Sequence, residues 1–312
     1  MYDTIIIGAG VAGLTAALYG QRRAMNLLVL SKDVGGQVNL TTEIENYPGF
    51  DSITAPELIE RMSNQVSKLG VNIQATEVTA IRHNGDSFTV KTIDTAYQTK
   101  TLVLAMGLLP RRLNIPGEKE LAGRGVTYCA TCDGPFFKGK RVAVVGGGNA
   151  ALDAAEYLSK ICTTVHLINR TAKYRAFEAI VNEVKQTPNI TMYDNSEIKS
   201  INGQNKVESI TVINNQTQAE QTIELDGVFI EIGRVASTEL IADLVKLDDK
   251  GQIIINDHGA TSQPGIFAAG DATNTPMKQI TVACGLGTTA ILSAYQYLHQ
   301  GAPLETDYSK HK

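Results

Sequence analysis

The sequence predicts an α/β protein with two domains. The main observation is a repeat, because an apolar strand, a glycine loop and a helix begin near residue 4 and recur near residue 141. A further apolar strand, at residues 265–269, ends in Gly270 and Asp271, and ligands bind beyond such strand ends in open parallel sheets. A chain of 312 residues, 43% of them hydrophobic, can fill two cores. These features together predict two Rossmann-like nucleotide-binding domains.

The first copy of the repeat reads DTIIIGAGVAGLTAALYGQRR. Residues 4–7 form an apolar run typical of a buried parallel strand, and a helix opens at residue 14. Between them, Gly8, Gly10 and Gly13 form G-x-G-x-x-G, which permits a tight turn and the close approach of a pyrophosphate to the positive end of the helix. Because the motif stands between a strand and a helix, it predicts a dinucleotide site rather than an ordinary turn.

The second copy reads KRVAVVGGGNAALDAAEYLSK. Gly146, Gly148 and Ala151 stand in the same frame as the first three glycines, and Asn149 and Ala150 complete the loop. Two copies indicate either two dinucleotides or one dinucleotide and a degenerate second site. Downstream, alternating polar and apolar residues at 203–224 predict short antiparallel strands that extend this domain.

An acidic residue about 20 positions after such a loop usually binds the ribose hydroxyls. After the first loop Ser31 occupies that position, with Asp33 close by. After the second loop the strand ends near residue 168 and is followed by Asn169, Arg170 and Arg175. Arginines there suit a 2′-phosphate better than a free hydroxyl, although they are also typical of an ordinary solvated surface.

Composition excludes several classes of partner. The net charge is −4, with acidic and basic residues interspersed, so nothing indicates nucleic-acid binding. No apolar run approaches the roughly 20 residues that a membrane helix needs. The N-terminus, MYDTIIIGAG, has no basic region or cleavage site typical of an export signal, so we expect a cytoplasmic protein without a persistent structural disulfide.

The stretch CATCDG, at residues 129–134, carries the chemistry. Cys129 and Cys132 form a C-x-x-C pair, which is typical of a zinc site or a redox disulfide. Zinc needs four ligands, yet Cys162 and Cys284 are isolated and no histidine stands at ligand spacing, so we expect no metal. Asp133 follows at once, either as a proton source for thiol chemistry or as a turn and helix-capping residue.

The whole chain resembles the low-molecular-weight thioredoxin reductases, a family of FAD-dependent pyridine nucleotide disulfide oxidoreductases. The resemblance is carried by motifs in a fixed order: GAGVAG, GGQ at 35–37, ENYPGF at 45–50, CATCDG, GGGNAA, GIFAAGD and KQITVACGLG. It implies two three-layer ββα-type Rossmann-like domains, the second inserted into a split FAD domain. We therefore expect an FAD domain at residues 1–115 and 245–312, and a pyridine-nucleotide domain at residues 116–244 that carries the C-x-x-C pair.

The resemblance also implies functional residues. Those expected to line the FAD site are Gly8, Gly10, Gly13, Gly36, Gln37, Asn46, Gly107, Gly270, Asp271, Gln279 and Ile280. Cys132 is expected to face the flavin, Cys129 to attack the disulfide of thioredoxin or a similar protein, and Asp133 to protonate the departing thiolate. The family further implies a homodimer.

Two departures from the family pattern concern the electron donor and the tail. NADPH-using members carry His-Arg-Arg-x-x-x-Arg after the second nucleotide strand, where this chain has Asn169, Arg170, Thr171 and Arg175. NADPH is the expected donor, with NADH, ferredoxin or another donor as alternatives. Its expected site is Gly146, Gly148, Asn149, Ala150, Arg170 and Arg175. In the polar tail, Tyr308 and His311 either form a disordered end or stack on the flavin, as in some divergent relatives.

Three functions are consistent with these features. The first is a thioredoxin reductase. The second is a flavin-dependent dithiol oxidase, which runs the same groups backwards and passes electrons to oxygen. The third is a flavin-bound redox sensor or scaffold, which the intact C-x-x-C-Asp run disfavours.

Overall fold

The computed structural model describes residues 1–40 and 43–301. Within them the chain forms two compact units. The first unit combines Met1–Leu109 with the chain from Val235 onwards, and the second is the continuous segment Pro110–Arg234. The chain therefore begins the first unit, completes the second, and returns to finish the first.

Both units contain strands and helices in alternation. Among the described residues, the strands are β1 (Tyr2–Gly10), β2 (Leu27–Gly35), β3 (Glu43–Ile44), β4 (Ile53–Thr54), β5 (Asn72–Ala75), β6 (Val78–His83), β7 (Phe88–Thr92), β8 (Ala96–Leu104), β9 (Leu108–Pro110), β10 (Val126–Thr127), β11 (Arg141–Val145), β12 (Thr164–Ile168), β13 (Ile190–Tyr193), β14 (Ser196–Asn202), β15 (Ser209–Asn214), β16 (Glu220–Glu224), β17 (Gly227–Ile230), β18 (Arg234–Ala236) and β19 (Ile266–Ala268). The α-helices are α1 (Val11–Arg22), α2 (Ala55–Lys68), α3 (Ala130–Asp133), α4 (Asn149–Ser159), α5 (Glu178–Gln186) and α6 (Ile280–Leu298). None of these described helices combines the length and the apolar character needed to cross a bilayer.

The sheet of the first unit has the strand order β5-β2-β1-β8-β7-β6, and β19 pairs with the last three residues of β8. Strands β1, β2, β5, β8 and β19 are parallel, whereas β6 and β7 are antiparallel. Successive residues of β1 face opposite sides of the sheet, so Ile6 joins one hydrophobic core and Ile5 joins another. A strand buried on both faces needs the continuous apolar run that this sequence provides.

Helices α1 and α6 cover one face of this sheet and pack closely on each other because small residues line their contact. A methyl group on Gly287 of α6 would overlap the carbonyl oxygen of Ala12 in α1. A methyl group on Gly20 of α1 would lie 2.9 Å from Cγ1 of Ile291 in α6. This close packing fixes the start of α1, and with it the first glycine loop, against the sheet.

The second unit contains a parallel sheet in the order β10-β17-β11-β12-β13, and an antiparallel sheet in the order β14-β15-β16. All neighbouring strands of the first of these sheets are parallel. Helices α4 and α5 contribute to its core through Leu152, Leu158 and Val184, which are fully buried. The antiparallel pieces predicted at residues 203–224 are confirmed, and their sheet begins earlier, at Ser196. The α/β class predicted from the sequence is also confirmed.

Strand β2 extends beyond the end that its apolar run indicates. The run ends at Leu30, but the strand continues to Gly35 because a register shift in β1 lets Ala9 and Gly10 pair with Val34 and Gly35. In this extension Ser31 is half-buried and Lys32 and Asp33 are exposed, so an apolar run could not indicate it. Strand β19 is shorter than the predicted segment at residues 265–269, since Gly265 has a positive φ of 83° and Gly270 opens a 3-10 turn.

The contact of α1 with α6 predicts opposite effects for two glycines of one helix. Gly287→Ala should destabilise the protein by about 1–3 kcal/mol, because the new methyl group overlaps main-chain atoms. Gly285→Ala is the matched control. Outside the backbone of α6 itself, no described residue has an atom within 4 Å of the position its methyl group would take, and alanine favours a helix by roughly 1 kcal/mol. Urea midpoints measured by circular dichroism check both, and equal midpoints for the two variants would contradict this packing.

Candidate active site

Cys129 and Cys132 form a disulfide in the second unit, with their Cα atoms 5.4 Å apart. Strand β10 ends two residues before Cys129, and the four-residue helix α3 begins directly after Cys129. Cys129 is 7% exposed, and its sulfur also accepts a hydrogen bond from the backbone N–H of Cys132, at 3.2 Å. Because the two sulfurs are bonded to each other, the pair is arranged to accept two electrons.

Asp133 closes the loop that holds the disulfide. Its carboxylate accepts a hydrogen bond from the hydroxyl of Thr127. Its backbone N–H donates to the carbonyl of Cys129, at 3.2 Å. The Thr127 oxygen in turn accepts from the Cys129 N–H, at 3.3 Å. Cys129 occupies the capping position of α3, whereas Asp133 occupies that of the 3-10 helix Gly134–Phe137, without a side-chain hydrogen bond to that helix.

Glu231 is a second carboxylate beside the disulfide, and the sequence motifs do not single it out. It follows β17, and its Oε1 accepts a hydrogen bond from the backbone N–H of Ala130, at 3.3 Å. Burial raises the pKa of Glu231 to about 7, while the hydrogen bond from Ala130 and the charge of Arg234 act in the opposite direction. The sequence feature that could have pointed to Glu231 is a charged residue directly after the apolar run GVFI.

Glu118 is a third carboxylate, 2% exposed, that anchors the segment before the disulfide. It accepts hydrogen bonds from the N–H groups of Leu113, at 3.1 Å, and Asn114, at 2.6 Å, and from the hydroxyl of Tyr128, at 2.8 Å. Burial, together with this bond to Glu118, raises the pKa of Tyr128 to about 12. Tyr128 directly precedes Cys129, so Glu118 fixes the entry to the redox loop.

The other two cysteines lie apart from this chemistry. Cys162 is buried, and its thiol donates to the carbonyl of Phe137 at 3.3 Å. Burial raises the pKa of Cys162 to about 11, so it is an unreactive core residue. Cys284 lies half-buried in α6, and burial raises its pKa as well.

The second glycine loop has the form that a dinucleotide needs. Gly146 has a φ of 144°, and a methyl group there would lie 2.7 Å from Cβ of Ala151. Gly148 precedes α4, and none of the described residues beyond its chain neighbours has an atom within 4 Å of its methyl position, so a phosphate has room to approach. Asn149 accepts a hydrogen bond from the Phe177 N–H, at 2.9 Å, and so holds the chain after β12 against the loop.

The segment after β12 brings two arginines to this loop. The backbone N–H of Arg175 donates to the Gly147 carbonyl at 2.6 Å. Arg170 and Arg175 are exposed, and neither guanidinium has an ion-pair partner in the described part of the chain. Asn169, only 5% exposed, donates to the Thr171 carbonyl at 2.8 Å. Asn169 is therefore part of the turn that supports the arginines.

The first glycine loop is equally tight. Gly8 has a φ of 106°, and a methyl group on it would overlap the carbonyl oxygen of Ala105. A methyl group on Gly13 would overlap the carbonyl oxygen of Gly8, which brings α1 directly onto β1. Gly10, by contrast, has its nearest neighbour, the Gly35 oxygen, 3.8 Å from the methyl position. The three glycines thus provide a tight turn, room for a pyrophosphate and close packing of helix on strand. A dinucleotide such as FAD requires all three of these features.

The two polar residues in the second half of β2 that were considered for ribose binding form local hydrogen bonds. Ser31 accepts a hydrogen bond from the Ala9 N–H in the glycine loop, at 3.0 Å. Asp33 accepts one from the Gly36 N–H, at 3.1 Å. Both side chains therefore hold main chain around the loop in the structure.

Residues far apart in sequence meet at the carboxyl edge of the first sheet. Gln37 donates to the carboxylate of Asp271 at 3.2 Å, across 234 positions of sequence. Lys278, which sequence reasoning missed, donates to the carbonyl oxygens of Asp271, at 3.0 Å, and Thr273, at 2.7 Å. Burial lowers the pKa of Lys278, and the nearby Asp271 opposes that shift.

Other predicted flavin residues lie in this same unit. Asn46 donates to the side chain of Gln279 at 3.4 Å, and Gln279 directly precedes α6, which begins at Ile280. The methyl position of Gly107 lies 3.5 Å from Nε2 of Gln37. Gly270, with a φ of 74°, turns the chain into Asp271. Tyr308 and His311 lie outside the described residues.

Comparisons with known proteins agree with this geometry. Residues 2–287 match the family model described as pyridine nucleotide-disulphide oxidoreductase. A thioredoxin reductase of Mycolicibacterium smegmatis is 38% identical over 301 residues, covering 96% of this chain and 97% of that protein. A Bacillus subtilis protein named NADH dehydrogenase is 36% identical over 298 residues, covering 95% of this chain and 58% of that protein. The solved thioredoxin reductase of Lactococcus lactis superposes with a TM-score of 0.85 at 39% identity, covering 96% of this chain and 100% of that one.

The bonds of Glu118 predict a loss of stability when its carboxylate is removed. Glu118→Leu leaves two backbone N–H groups and one hydroxyl without their acceptor, at roughly 1 kcal/mol or more each, so we expect a loss of about 3 kcal/mol. Glu118→Gln keeps one acceptor oxygen and should lose less. The exposed Glu120→Gln is the control and should change stability by less than about 0.5 kcal/mol. Urea unfolding checks the series, and a Glu118→Leu midpoint equal to that of Glu120→Gln would contradict it.

Proposed function

This chain belongs to the pyridine nucleotide-disulphide oxidoreductase family, and we propose that it is a flavin-dependent thioredoxin reductase that takes electrons from NADPH. The observation that carries the proposal is the Cys129–Cys132 disulfide, which lies in the same unit as an intact second glycine loop. The protein substrate is thioredoxin or a similar protein disulfide. The similarity to proteins named thioredoxin reductase supports this substrate.

The FAD domain of this proposal comprises residues 1–115 and 245–312, and the pyridine-nucleotide domain comprises residues 116–244. The glycine cradle of Gly8, Gly10 and Gly13 holds the pyrophosphate of FAD. Asp271, fixed by Gln37 and Lys278, presents its carboxylate at the carboxyl edge of the same sheet. FAD, when bound, carries two electrons between the nucleotide and the disulfide.

The disulfide residues have separate roles. Cys132 receives the electrons, and Cys129 is then free to attack the disulfide of the protein substrate. The mixed disulfide forms between Cys129 and one substrate sulfur, and Cys132 resolves it, so the disulfide of this protein is restored. Asp133 gives a proton to the departing thiolate, a role supported by its place within the redox loop and its bond to Thr127.

The donor site uses the second glycine loop and two arginines. Gly148 leaves room for the pyrophosphate at the start of α4, and Gly146 and Ala150 belong to the loop around it. Arg170 and Arg175 bind the 2′-phosphate that distinguishes NADPH from NADH. Exposed guanidinium groups without ion-pair partners in the described part of the chain are available for that phosphate. The similarity to a protein named NADH dehydrogenase makes NADH the alternative to test. A homodimer and a cytoplasmic location complete the proposal as family expectations.

Anaerobic titration tests the function directly. Adding NADPH to the purified flavoprotein should bleach the flavin absorbance, and oxidised thioredoxin should then restore it. Cys132→Ser is the control, because it removes the disulfide and should lose thioredoxin reduction while the flavin still bleaches. Bleaching by neither NADPH nor NADH would contradict the proposed donor, and failure to reduce any thioredoxin after bleaching would contradict the substrate.

Substitution of the two arginines tests the donor selectivity. Arg170→Ala and Arg175→Ala should each raise the KM for NADPH about tenfold, since one charge-assisted phosphate contact contributes roughly 1.4 kcal/mol. The KM for NADH should not change. Lys185→Ala, an exposed cation in α5, is the matched control. An equal change for both nucleotides would show that the arginines do not read the 2′-phosphate.

A further inference from the structure

Glu231 contacts the redox loop, yet the proposed function leaves it without a role. We propose that Glu231 is a positioning residue that takes up a proton when the Cys129–Cys132 disulfide is reduced and releases it on reoxidation. The inference rests on the proposed function only in taking this disulfide as redox-active. It makes the reduction of the disulfide depend on pH in the neutral range.

The contact that carries the inference is the hydrogen bond from the Ala130 N–H to the Glu231 carboxylate, at 3.3 Å. Ala130 directly follows Cys129, so the carboxylate lies against the loop that holds the sulfurs. Reduction breaks the neutral disulfide and leaves two separate sulfur groups, one of which can ionise. A thiolate there repels a neighbouring carboxylate. A charged Glu231 therefore disfavours the thiolate, and a thiolate favours the protonated form of Glu231.

The main chain of Glu231 is fixed, so the carboxylate is presented from a rigid position. Its N–H donates to the carbonyl of Val145, at 2.9 Å, which continues the pairing of β17 with β11. On its other side, a methyl group on Gly146 would overlap the Glu231 carbonyl oxygen. The residue is thus held between the end of a buried strand and the second glycine loop.

Burial opposes the ionisation of Glu231, whereas one hydrogen bond and one neighbouring charge favour it. Burial raises the pKa of Glu231 to about 7, and the Ala130 hydrogen bond and the Arg234 charge oppose that effect. Arg234 has a buried Nη1 without a hydrogen-bond partner among the described residues. Asp133, the other carboxylate of the redox loop, is hydrogen-bonded to Thr127. The stretch from Val145 to Gly148 carries no charged side chain.

The proton and electron balance follows from this arrangement. Two electrons, from reduced flavin or from a small dithiol, break the S–S bond. One sulfur takes up a proton and becomes a thiol, and the other remains a thiolate. Where Glu231 is ionised beforehand, the new thiolate drives a second proton onto its carboxylate. Reoxidation removes the two electrons, reforms the S–S bond and releases both protons.

The test uses the full-length flavoprotein and dithiothreitol, without NADPH or thioredoxin. The disulfide is equilibrated with mixtures of reduced and oxidised dithiothreitol between pH 5.5 and 8.5, and the Cys129–Cys132 peptide is quantified by mass spectrometry after acid quench and alkylation. The rate at which the reduced pair reacts with iodoacetamide is measured over the same range. A failure of NADPH or thioredoxin reduction leaves these readouts intact, so the two proposals are tested separately.

Glu231→Gln is the informative variant, because its amide keeps an oxygen to accept from Ala130 but neither carries charge nor titrates. In the wild-type protein, proton uptake per reduced disulfide should exceed that of Glu231→Gln by up to one proton around pH 7. The variant should also react with iodoacetamide up to about tenfold faster at pH 7, since one unit in thiol pKa is a factor of ten. Glu224→Gln is the control, an exposed carboxylate of the same unit that should behave as wild type.

Three outcomes would overturn the proposal. The first is a Glu231→Gln profile that superimposes on the wild-type profile in both measurements. The second is a shift of equal size in Glu224→Gln. The third is a wild-type alkylation profile that a single thiol titration describes, with no second inflection near neutral pH. This outcome concerns the wild-type protein alone, so it can be observed even if the variant does not fold.

Discussion

The close approach of main chain at the turn between a parallel strand and its helix is the constraint on which both units depend. At Gly8 and Gly13, and again at Gly146, a single added methyl group would meet backbone or a neighbouring side chain. The absence of side chains brings each helix directly onto its sheet and leaves the N–H groups of the turn open. The polar groups of the two sites follow other strands of the same sheets, since Asp271 comes after β19 and Glu231 after β17.

Three carboxylates hold the redox loop or the segment that enters it, and their hydrogen-bond partners differ. Glu118 is satisfied by three donors and holds the chain that enters the loop. Asp133 is bonded to a hydroxyl within the loop. Glu231 has one backbone donor, from Ala130, and a nearby arginine. Chemically identical groups thus differ in environment, because burial and hydrogen-bond partners decide which of them holds the fold and which can exchange a proton.

Local patterns in the sequence predicted much of this protein. The two glycine loops, the C-x-x-C pair and Asp133 each occupy a short stretch, and the predicted fold class and disulfide-reductase function are confirmed by the relatives. The pairing of Gln37 with Asp271 spans 234 positions, so no local signal could reveal it. Ser31 and Asp33 stand near the position at which the sequence predicts a ribose-binding residue, but only the structure shows that they accept hydrogen bonds from backbone N–H groups.

The chain order of the two units also bears on how the protein folds during synthesis. Pro110–Arg234 is one continuous segment, whereas the first unit needs β19 and α6, which are made last. The second unit can therefore complete its core on the ribosome while β8 still lacks its pairing with β19. Until α6 is made, the face of α1 that contains Ala12 is uncovered apolar surface. The nascent chain is thus most exposed to misassembly or chaperone capture in its earliest-made part.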